Sequence, residues 1–156
     1  MSYVFDTGPF IVLKHYYPST FQTLWTQLDS MATSGALGSV LEVFNELLNY
    51  NDSNFIQDWA KRHKRIFAKP SNDELLVVQQ ILAVPHFQTL ISTEALLRGK
   101  PIADPFVLAA GKVKGAIVVT QERFKPNAAK VPNVCEHFGV PWINLEQFMA
   151  QQGWAF

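Results

Sequence analysis

Two acidic residues of this 156-residue chain lie at or just beyond the ends of short apolar runs. Asp6 follows Tyr3-Val4-Phe5, and Glu122 lies two residues beyond Ala116-Ile117-Val118-Val119-Thr120, a β-branched run typical of a buried parallel strand. In open α/β sheets, ligands bind in the crevice beyond the carboxyl ends of the strands. We therefore expect both carboxylates at the place where chemistry usually occurs in such a sheet.

Further carboxylates lie on two predicted helices. The segment from Ser39 to Leu48 has helical periodicity, and a spacing of four residues puts Glu42 and Glu46 on one face. One or both could point into the crevice. Asp104 is followed by Pro105, a pair typical of a helix cap and the first helical position. The Asp104 carboxylate is therefore expected at a helix N-terminus.

Carboxylates from separate segments that meet at one sheet edge repel one another. The repulsion is about 1 kcal/mol per pair at 4 Å in bulk water and ~4 kcal/mol at an intermediate dielectric. A hard divalent cation offsets it, because Mg²⁺ and Mn²⁺ prefer oxygen ligands. Two such ions about 3.5–4 Å apart suit in-line displacement at a phosphodiester. The residues thus predict metal-assisted phosphodiester hydrolysis.

Each acid also has a simpler structural explanation. Asp6 could form an Asx-turn, and Asp104 could be only a helix cap. Glu42 and Glu46 could be an exposed like-charged pair, and Glu122 a solvated loop residue. The hypothesis of a site is favoured because all of them fall beside the same inferred sheet edge.

The rest of the chain alternates short strands with helices, which predicts an α/β sandwich around a largely parallel sheet. We expect one domain over residues 1–156, since the length is usual for one domain. The predicted elements are a helix capped by Ser19-Thr20, a strand over 35–39, a helix capped by Asp52-Ser53, a helix over 74–83 capped by Asn72-Asp73, a strand over 140–144 and a helix over 145–151; the stretch 85–101 stays ambiguous.

The composition is that of a folded protein, with 48% hydrophobic and 17% charged residues. Thirteen basic and thirteen acidic residues cancel, so a nucleic-acid partner would have to be held by a local basic patch. The densest basic cluster comprises Lys61, Arg62, Lys64 and Arg65. It predicts either RNA contacts or a solvated helix end, where cations also suit the helix dipole.

Cysteine content and hydropathy indicate the cellular environment. Cys135 is the single cysteine and cannot form an internal disulfide, and the N-terminus has no signal-peptide pattern, so we expect a cytoplasmic protein. No apolar stretch approaches the ~20 residues that cross a bilayer. We therefore expect no membrane association.

Four segments resemble a known family in order and spacing. Phe5-Asp6-Thr7, Glu46-Leu47, Ala103 to Val107 and Val119 to Glu122 are similar to the four acidic motifs of PIN-domain nucleases, over nearly the whole chain. The resemblance is closest to a compact prokaryotic, VapC-like branch long catalogued as a domain of unknown function. It implies a PIN-like three-layer sandwich, with a central, mostly parallel sheet of four to five strands flanked by helices.

The resemblance also implies an activity and its partners. The family consists of Mg²⁺- or Mn²⁺-dependent ribonucleases, commonly dimeric and commonly the toxin of a VapC-type toxin-antitoxin pair. Two departures are that Gly8 stands where many relatives have a small polar residue, and that Glu122 replaces the commoner Asp. The implied metal-holding and catalytic residues are Asp6, Glu46, Asp104 and a more variable Glu122, with Thr7, Glu42 and Thr120 in support.

Other functions are weighed against this one. The sequence Asp6-Thr7-Gly8 matches the Asp-Thr-Gly of aspartic proteases, but that fold is rich in β-structure. Haloacid-dehalogenase-like phosphatases need a second Asp where this chain has Gly8. A catalytically inactive PIN-like interaction module and a housekeeping RNA-processing nuclease are the two alternatives that stay open.

Overall fold

The computed structural model describes residues 2–50, 55–90 and 102–156 and has an α/β architecture built on one parallel sheet. The five strands lie in the order β3-β2-β1-β4-β5, and every pairing of neighbours is parallel. Since all five strands run in one direction, their carboxyl ends meet at one edge. The strands are β1 (Tyr3–Phe5), β2 (Leu37–Val40), β3 (Phe67–Ala68), β4 (Ile117–Val119) and β5 (Trp142–Ile143).

Helices flank this sheet, as the predicted PIN-like three-layer sandwich requires, and the predicted fold class is confirmed. Short 3₁₀ helices cover Lys64–Ile66 and Pro85–Leu90. The described α-helices are α1 (Thr7–Leu13), α2 (Gln22–Ser34), α3 (Leu41–Asn49), α4 (Phe55–Arg62), α5 (Asn72–Leu82), α6 (Asp104–Lys114), α7 (Val131–Phe138) and α8 (Leu145–Gln151).

Aromatic side chains from the sheet and the helices form the core. Phe5 of β1 is fully buried and lies 4.9 Å from Phe148 and 5.3 Å from Phe10 between ring centroids. Helix α6 packs closely on β4 at Gly111, where an added Cβ would lie 2.7 Å from Val118 Cγ2. This tight packing fixes the C-terminal half of α6 against β4.

Two predicted helix caps are wrong by a few residues. Helix α2 follows Phe21, not Ser19-Thr20, because residues 17–21 form a tight turn of their own in which the Phe21 N–H bonds to the Tyr17 carbonyl at 2.8 Å. Helix α5 is capped by Ser71 instead of Asn72-Asp73. The extended backbone at Ser71 lets its hydroxyl accept from the Glu74 N–H at 3.2 Å.

Other elements differ from the sequence prediction in extent. Strand β3 and helices α1 and α7 have no counterpart among the predicted elements, because each is short: β3 has two residues, α1 seven and α7 eight. The predicted cap Asp52-Ser53 and most of the ambiguous stretch 85–101 lie outside the described residues. Across the described ranges, we find no helix of the length and hydropathy that a membrane span needs.

Candidate functional site

Asp6 lies at the tip of β1, in the centre of the sheet's carboxyl edge. Its backbone N–H donates to the Val119 carbonyl at 2.9 Å, which ties the tips of β1 and β4 together. Its side chain caps α1, since Oδ1 accepts from the Thr7 N–H at 2.8 Å. Oδ2 accepts from the Thr120 hydroxyl at 3.0 Å. Asp6 is thus both a turn residue and a buried carboxylate of this edge.

The segment after β4 brings Glu122 to the same edge. The Thr120 hydroxyl accepts from the Glu122 N–H at 3.2 Å while it donates to Asp6, so one buried hydroxyl links both acids. The Glu122 carboxylate accepts from the Val131 N–H at 2.7 Å, at the first residue of α7. A carboxylate is favourable there, because a helix N-terminus carries partial positive charge.

Glu46 reaches the edge from α3. Its carboxylate accepts a hydrogen bond from the Thr7 hydroxyl, so the residue after Asp6 orients a second acid. Burial raises the pKa of Glu46, and the Glu122 charge raises it further. Hydrogen bonds from Thr7 and from the Ala103 backbone partly lower this pKa. Glu46 therefore lies between the tip of β1 and the start of α6.

Asp104 is the first residue of α6, and the N-cap is Ala103, so the prediction that Asp104 caps this helix is wrong. The reason is that the Ala103 backbone takes the cap position without a side-chain acceptor. Burial and then the charges of Asp6, Glu122 and Glu46 raise the pKa of Asp104 to about 8, although the Lys130 ammonium lowers it.

The pKa of Asp6 is perturbed by the same neighbours. Burial raises it to about 6, and the charges of Glu122 and Glu46 add to this, whereas the hydrogen bonds from Thr7 and Thr120 oppose it. Four carboxylates from four separate segments therefore share one electrostatic environment. We call this set the acidic edge: Asp6, Glu46, Asp104 and Glu122.

The acidic edge matches a hard cation in donor chemistry but not in spacing. Carboxylate oxygens are the ligands that Mg²⁺ and Mn²⁺ prefer, and a cation would offset the mutual repulsion. However, no three His, Cys, Asp or Glu side chains within residues 2–50, 55–90 and 102–156 stand close enough to hold a metal ion. Holding one would require Glu122 to rotate away from Val131, or Glu46 from Thr7.

Glu42 is separated from the acidic edge although it lies four residues before Glu46 on α3. Burial raises the pKa of Glu42, and the charge that adds to this is that of Glu74. Glu74 in turn pairs with Lys114 at 3.5 Å. Glu42 Oε2 is buried and has no hydrogen-bond partner in the described part of the chain. The structure thus brings Glu46, and not Glu42, to the other acids.

The basic cluster Lys61–Arg65 lies at the opposite, amino edge of the sheet. It immediately precedes β3, and Arg62 and Arg65 line a cavity of about 370 Å³ together with the first two residues of β2. Lys64 Nζ lies 5.5 Å from the centre of the Phe44 ring. The structure therefore does not place this cluster beside the acidic edge.

Sequence reasoning missed the cations that do lie near the acidic edge. Lys130 is exposed and close enough to Asp104 to lower its pKa. Arg123 and Lys125 are exposed in the same loop, on either side of Phe124, whose exposed fraction is 48%. Basic residues interleaved with an aromatic residue directly after a strand tip are the signal that could have found them.

Gly8, which differs from the residue that the resemblance to PIN-domain nucleases implies, lies where space is restricted. A Cβ at this position would lie 3.2 Å from Gln121 Cβ, so α1 approaches the segment after β4 more closely than most side chains allow. A residue other than glycine would require the Gln121 side chain to move. Glycine at position 8 therefore allows the segments that carry Asp6 and Glu122 to pack closely against each other.

The fold and the site define an α/β protein with carboxylates gathered at the carboxyl edge of a parallel sheet. A family model described as Domain of unknown function (DUF4411) matches residues 3–156, so the chain belongs to that family. No curated protein and no solved structure gives a match. The predicted membership in a family catalogued as a domain of unknown function is confirmed, and the kinship with PIN-domain nucleases is a proposal.

Proposed function

We propose that this chain is a PIN-type, divalent-metal-dependent endoribonuclease that hydrolyses RNA phosphodiester bonds. The observation that carries the proposal is the acidic edge, where four separate segments bring carboxylates together and where burial and the neighbouring charges raise the pKa values of Asp6, Glu46 and Asp104. A fold that keeps such repulsion at one place without a partner cation would lose stability for no gain. Mg²⁺ or Mn²⁺ is the partner that the oxygen donors favour.

The residues of the acidic edge would bind the metal ion, and Thr120 would orient one of them. Asp6 and Asp104 are the most strongly perturbed acids and would hold the cation, with Glu46 and Glu122 completing the set. When bound, such an ion supplies Lewis-acid stabilisation of the charge on a phosphodiester. Thr120 orients Asp6 through a hydrogen bond to Oδ2.

Positive charge near the acidic edge would guide the RNA backbone. The exposed side chains of Arg123, Lys125 and Lys130 follow β4 in one loop, and Lys130 acts electrostatically on Asp104. Cations of this kind bind phosphates without reading sequence. A local patch of this kind supplies what the neutral overall charge of the chain does not.

The direct test is cleavage of a panel of single-stranded and stem-loop RNAs by the purified protein. We expect cleavage with Mg²⁺ or Mn²⁺ and none after the metal is chelated. Cleavage that persists in excess chelator, or no cleavage of any RNA in the panel while Mn²⁺ is bound, would contradict the proposal. An RNA-only reaction with chelated buffer serves as the control for contaminating nucleases.

A second candidate is a catalytically inactive PIN-like module that only binds a partner. The observation that favours it is that Glu122 and Glu46 are held by internal hydrogen bonds and that no described group of three acids has metal-holding spacing. Calorimetry with Mn²⁺ separates the two candidates. A folded protein that takes up no Mn²⁺ at millimolar concentration would support the inactive module.

We further propose, on the resemblance alone, a cytoplasmic homodimer that acts as the toxin of a toxin-antitoxin pair. Induced expression in a bacterial host should then arrest growth, and Asp104→Asn should abolish the arrest. Co-expression of the product of the adjacent gene should restore growth, as expected of an antitoxin. Normal growth with a protein that cleaves RNA in vitro would support the alternative of a housekeeping RNA-processing nuclease.

A further inference from the structure

A surface groove lies directly beside the acidic edge, between α1, α8 and the C-terminal residues. Its volume of about 500 Å³ falls within the ~300–1,000 Å³ usual for sites that bind small organic groups. The groove combines aromatic and apolar walls with two polar side chains. The residues that matter are Val12, Tyr16, Gln121, Glu146, Met149 and Trp154.

Gln121 joins the groove to the acidic edge. It lies between Thr120 and Glu122, and consecutive Cα atoms are about 3.8 Å apart. Its Oε1 accepts from the Leu145 N–H at 2.8 Å, which fixes the side chain at the start of α8. Its Nε2 donates to no described residue, so two N–H donors stay available to a ligand.

The aromatic walls of the groove are held in place by packing. Tyr16 contacts the Phe21 ring edge-on at 5.2 Å, and Trp154 contacts Phe148 edge-on at 5.5 Å between centroids. Both residues are half-buried and line the groove. Rings fixed in this way are suited to stacking with nucleobases, at little entropic cost.

The polar groups of the groove differ in hydrogen-bonding character. Glu146 is exposed in the first turn of α8 and, when ionised, only accepts hydrogen bonds. The Gln121 amide nitrogen only donates. Guanine carries adjacent N1–H and N2–H donors next to its O6 acceptor, whereas uracil has a single N–H donor. An acceptor carboxylate beside an amide donor therefore matches the edge of guanine better than that of uracil.

We propose that this groove binds one base of a single-stranded RNA, guanine in preference, in the nucleotide next to the phosphate at the acidic edge. This inference rests on the proposed function for the position of the phosphate. The base stacks against Tyr16 and Trp154, and its edge contacts Gln121 and Glu146. The groove thereby gives base selectivity to a site whose other contacts are to the RNA backbone.

Binding of short oligoribonucleotides in chelator tests the groove without any cleavage. The probes are 5′-UUGUU and 5′-UUUUU, and the readouts are intrinsic tryptophan fluorescence and fluorescence anisotropy at low salt. We expect tighter binding of UUGUU by the wild type. Tyr16→Ala should weaken both probes roughly 5- to 150-fold, since stacking of one base is worth ~1–3 kcal/mol. Glu146→Gln should remove the preference for UUGUU.

Matched variants separate the groove from general effects. Tyr17→Ala removes the adjacent, 60% exposed tyrosine outside the groove and should bind both probes like the wild type. Trp154→Phe retains a ring against Phe148 and should bind both probes while losing the fluorescence response. The inference is overturned if the wild type binds neither probe, or if Tyr16→Ala and Glu146→Gln both bind as the wild type does.

The same experiment distinguishes this inference from the proposed function. RNA cleavage with Mn²⁺ by a protein whose groove variants keep affinity and base preference would refute the groove alone. Groove-dependent binding of UUGUU by a protein that never cleaves RNA with any metal would refute the nuclease proposal alone.

Discussion

The two edges of the sheet carry opposite charges in opposite environments. At the carboxyl edge, Asp6 is buried and Asp104 half-buried, and burial, with the neighbouring carboxylate charges added to it, keeps the pKa of both acids high. At the amino edge, the cluster Lys61–Arg65 is denser in charge, but its four Lys and Arg side chains are exposed. The amino edge also has a local counter-charge, since Asp29 Oδ1 lies 3.0 Å from His63 Nε2.

The candidate site is therefore marked by charged side chains that come together from separate segments and are buried. A high density of charge along the sequence, as at Lys61–Arg65, does not mark it. Exposed cations at a helix end lose little free energy, because water and the helix dipole stabilise them. Buried carboxylates from separate segments cost free energy unless something neutralises them. We therefore expect that binding of a cation at the carboxyl edge would increase the free energy of unfolding.

The largest effect is expected from a comparison of two glutamates on α3. Glu46→Gln should lower RNA cleavage by more than about 100-fold, because loss of a ligand should exceed the 10–100-fold effect of an outer contact. Glu42→Gln should leave cleavage within a few-fold of the wild type, since Glu42 faces Glu74. Single-turnover cleavage rates measure both. Equal losses in the two variants would place Glu42 in the site.

The metal-free protein should lose stability as the pH rises. An acid with a raised folded-state pKa binds more protons folded than unfolded, so the free energy of unfolding falls as pH rises through the window between the two pKa values. For Asp6 and Asp104 this window runs from the usual 3.8 to about 6 and about 8.

Thermal unfolding in chelator checks this pH dependence. Asp104→Asn should melt about 5–10 °C above the wild type at pH 8, and the difference should shrink towards pH 5. The matched control is Asp29→Asn, which weakens contacts to Trp59 and His63 at the amino edge. It should lower the melting temperature slightly at both pH values. An Asp104→Asn protein that melts at or below the wild type at pH 8 would contradict the account.

A smaller effect is expected from the basic residues that we propose to contact RNA. Each phosphate neutralised on a single strand contributes about −0.7 to the slope of log affinity against log salt concentration. Replacing Arg123 and Lys125 with Gln should therefore reduce the magnitude of the slope by about 1.4. Replacing Arg62 and Arg65 with Gln should leave it unchanged, because they lie at the amino edge. The reverse pattern would assign RNA binding to the amino edge.

Much of the fold was predictable because local pattern and topology agree. The β-branched run before Thr120 and the apolar run before Asp6 are neighbouring parallel strands, and parallel strands bring their carboxyl ends together. The acids at these tips were thus predictable from order alone. Strand β3, with two residues, has no period to detect and appears only through its pairing with β2.

The details of the site were less predictable because they depend on packing. Helical periodicity puts Glu42 and Glu46 on one face, but the neighbouring helices decide that each meets a different charge. The N-cap of α6 is Ala103, one residue before the predicted cap Asp104. A difference of one residue is within the usual ambiguity of helix ends. Lys130 approaches Asp104 through the course of a loop, which no periodicity describes.

The most direct test of the central claim is the response of thermal stability to Mn²⁺ in the wild type and in Asp104→Asn. Ligand binding stabilises a protein by RT ln(1 + [L]/Kd), about 2.7 kcal/mol at a hundredfold excess over Kd. We predict that Mn²⁺ raises the melting temperature of the wild type and has little effect on Asp104→Asn, whose cleavage falls to background. An equal response to Mn²⁺ in both proteins, with wild-type cleavage by Asp104→Asn, would contradict the account.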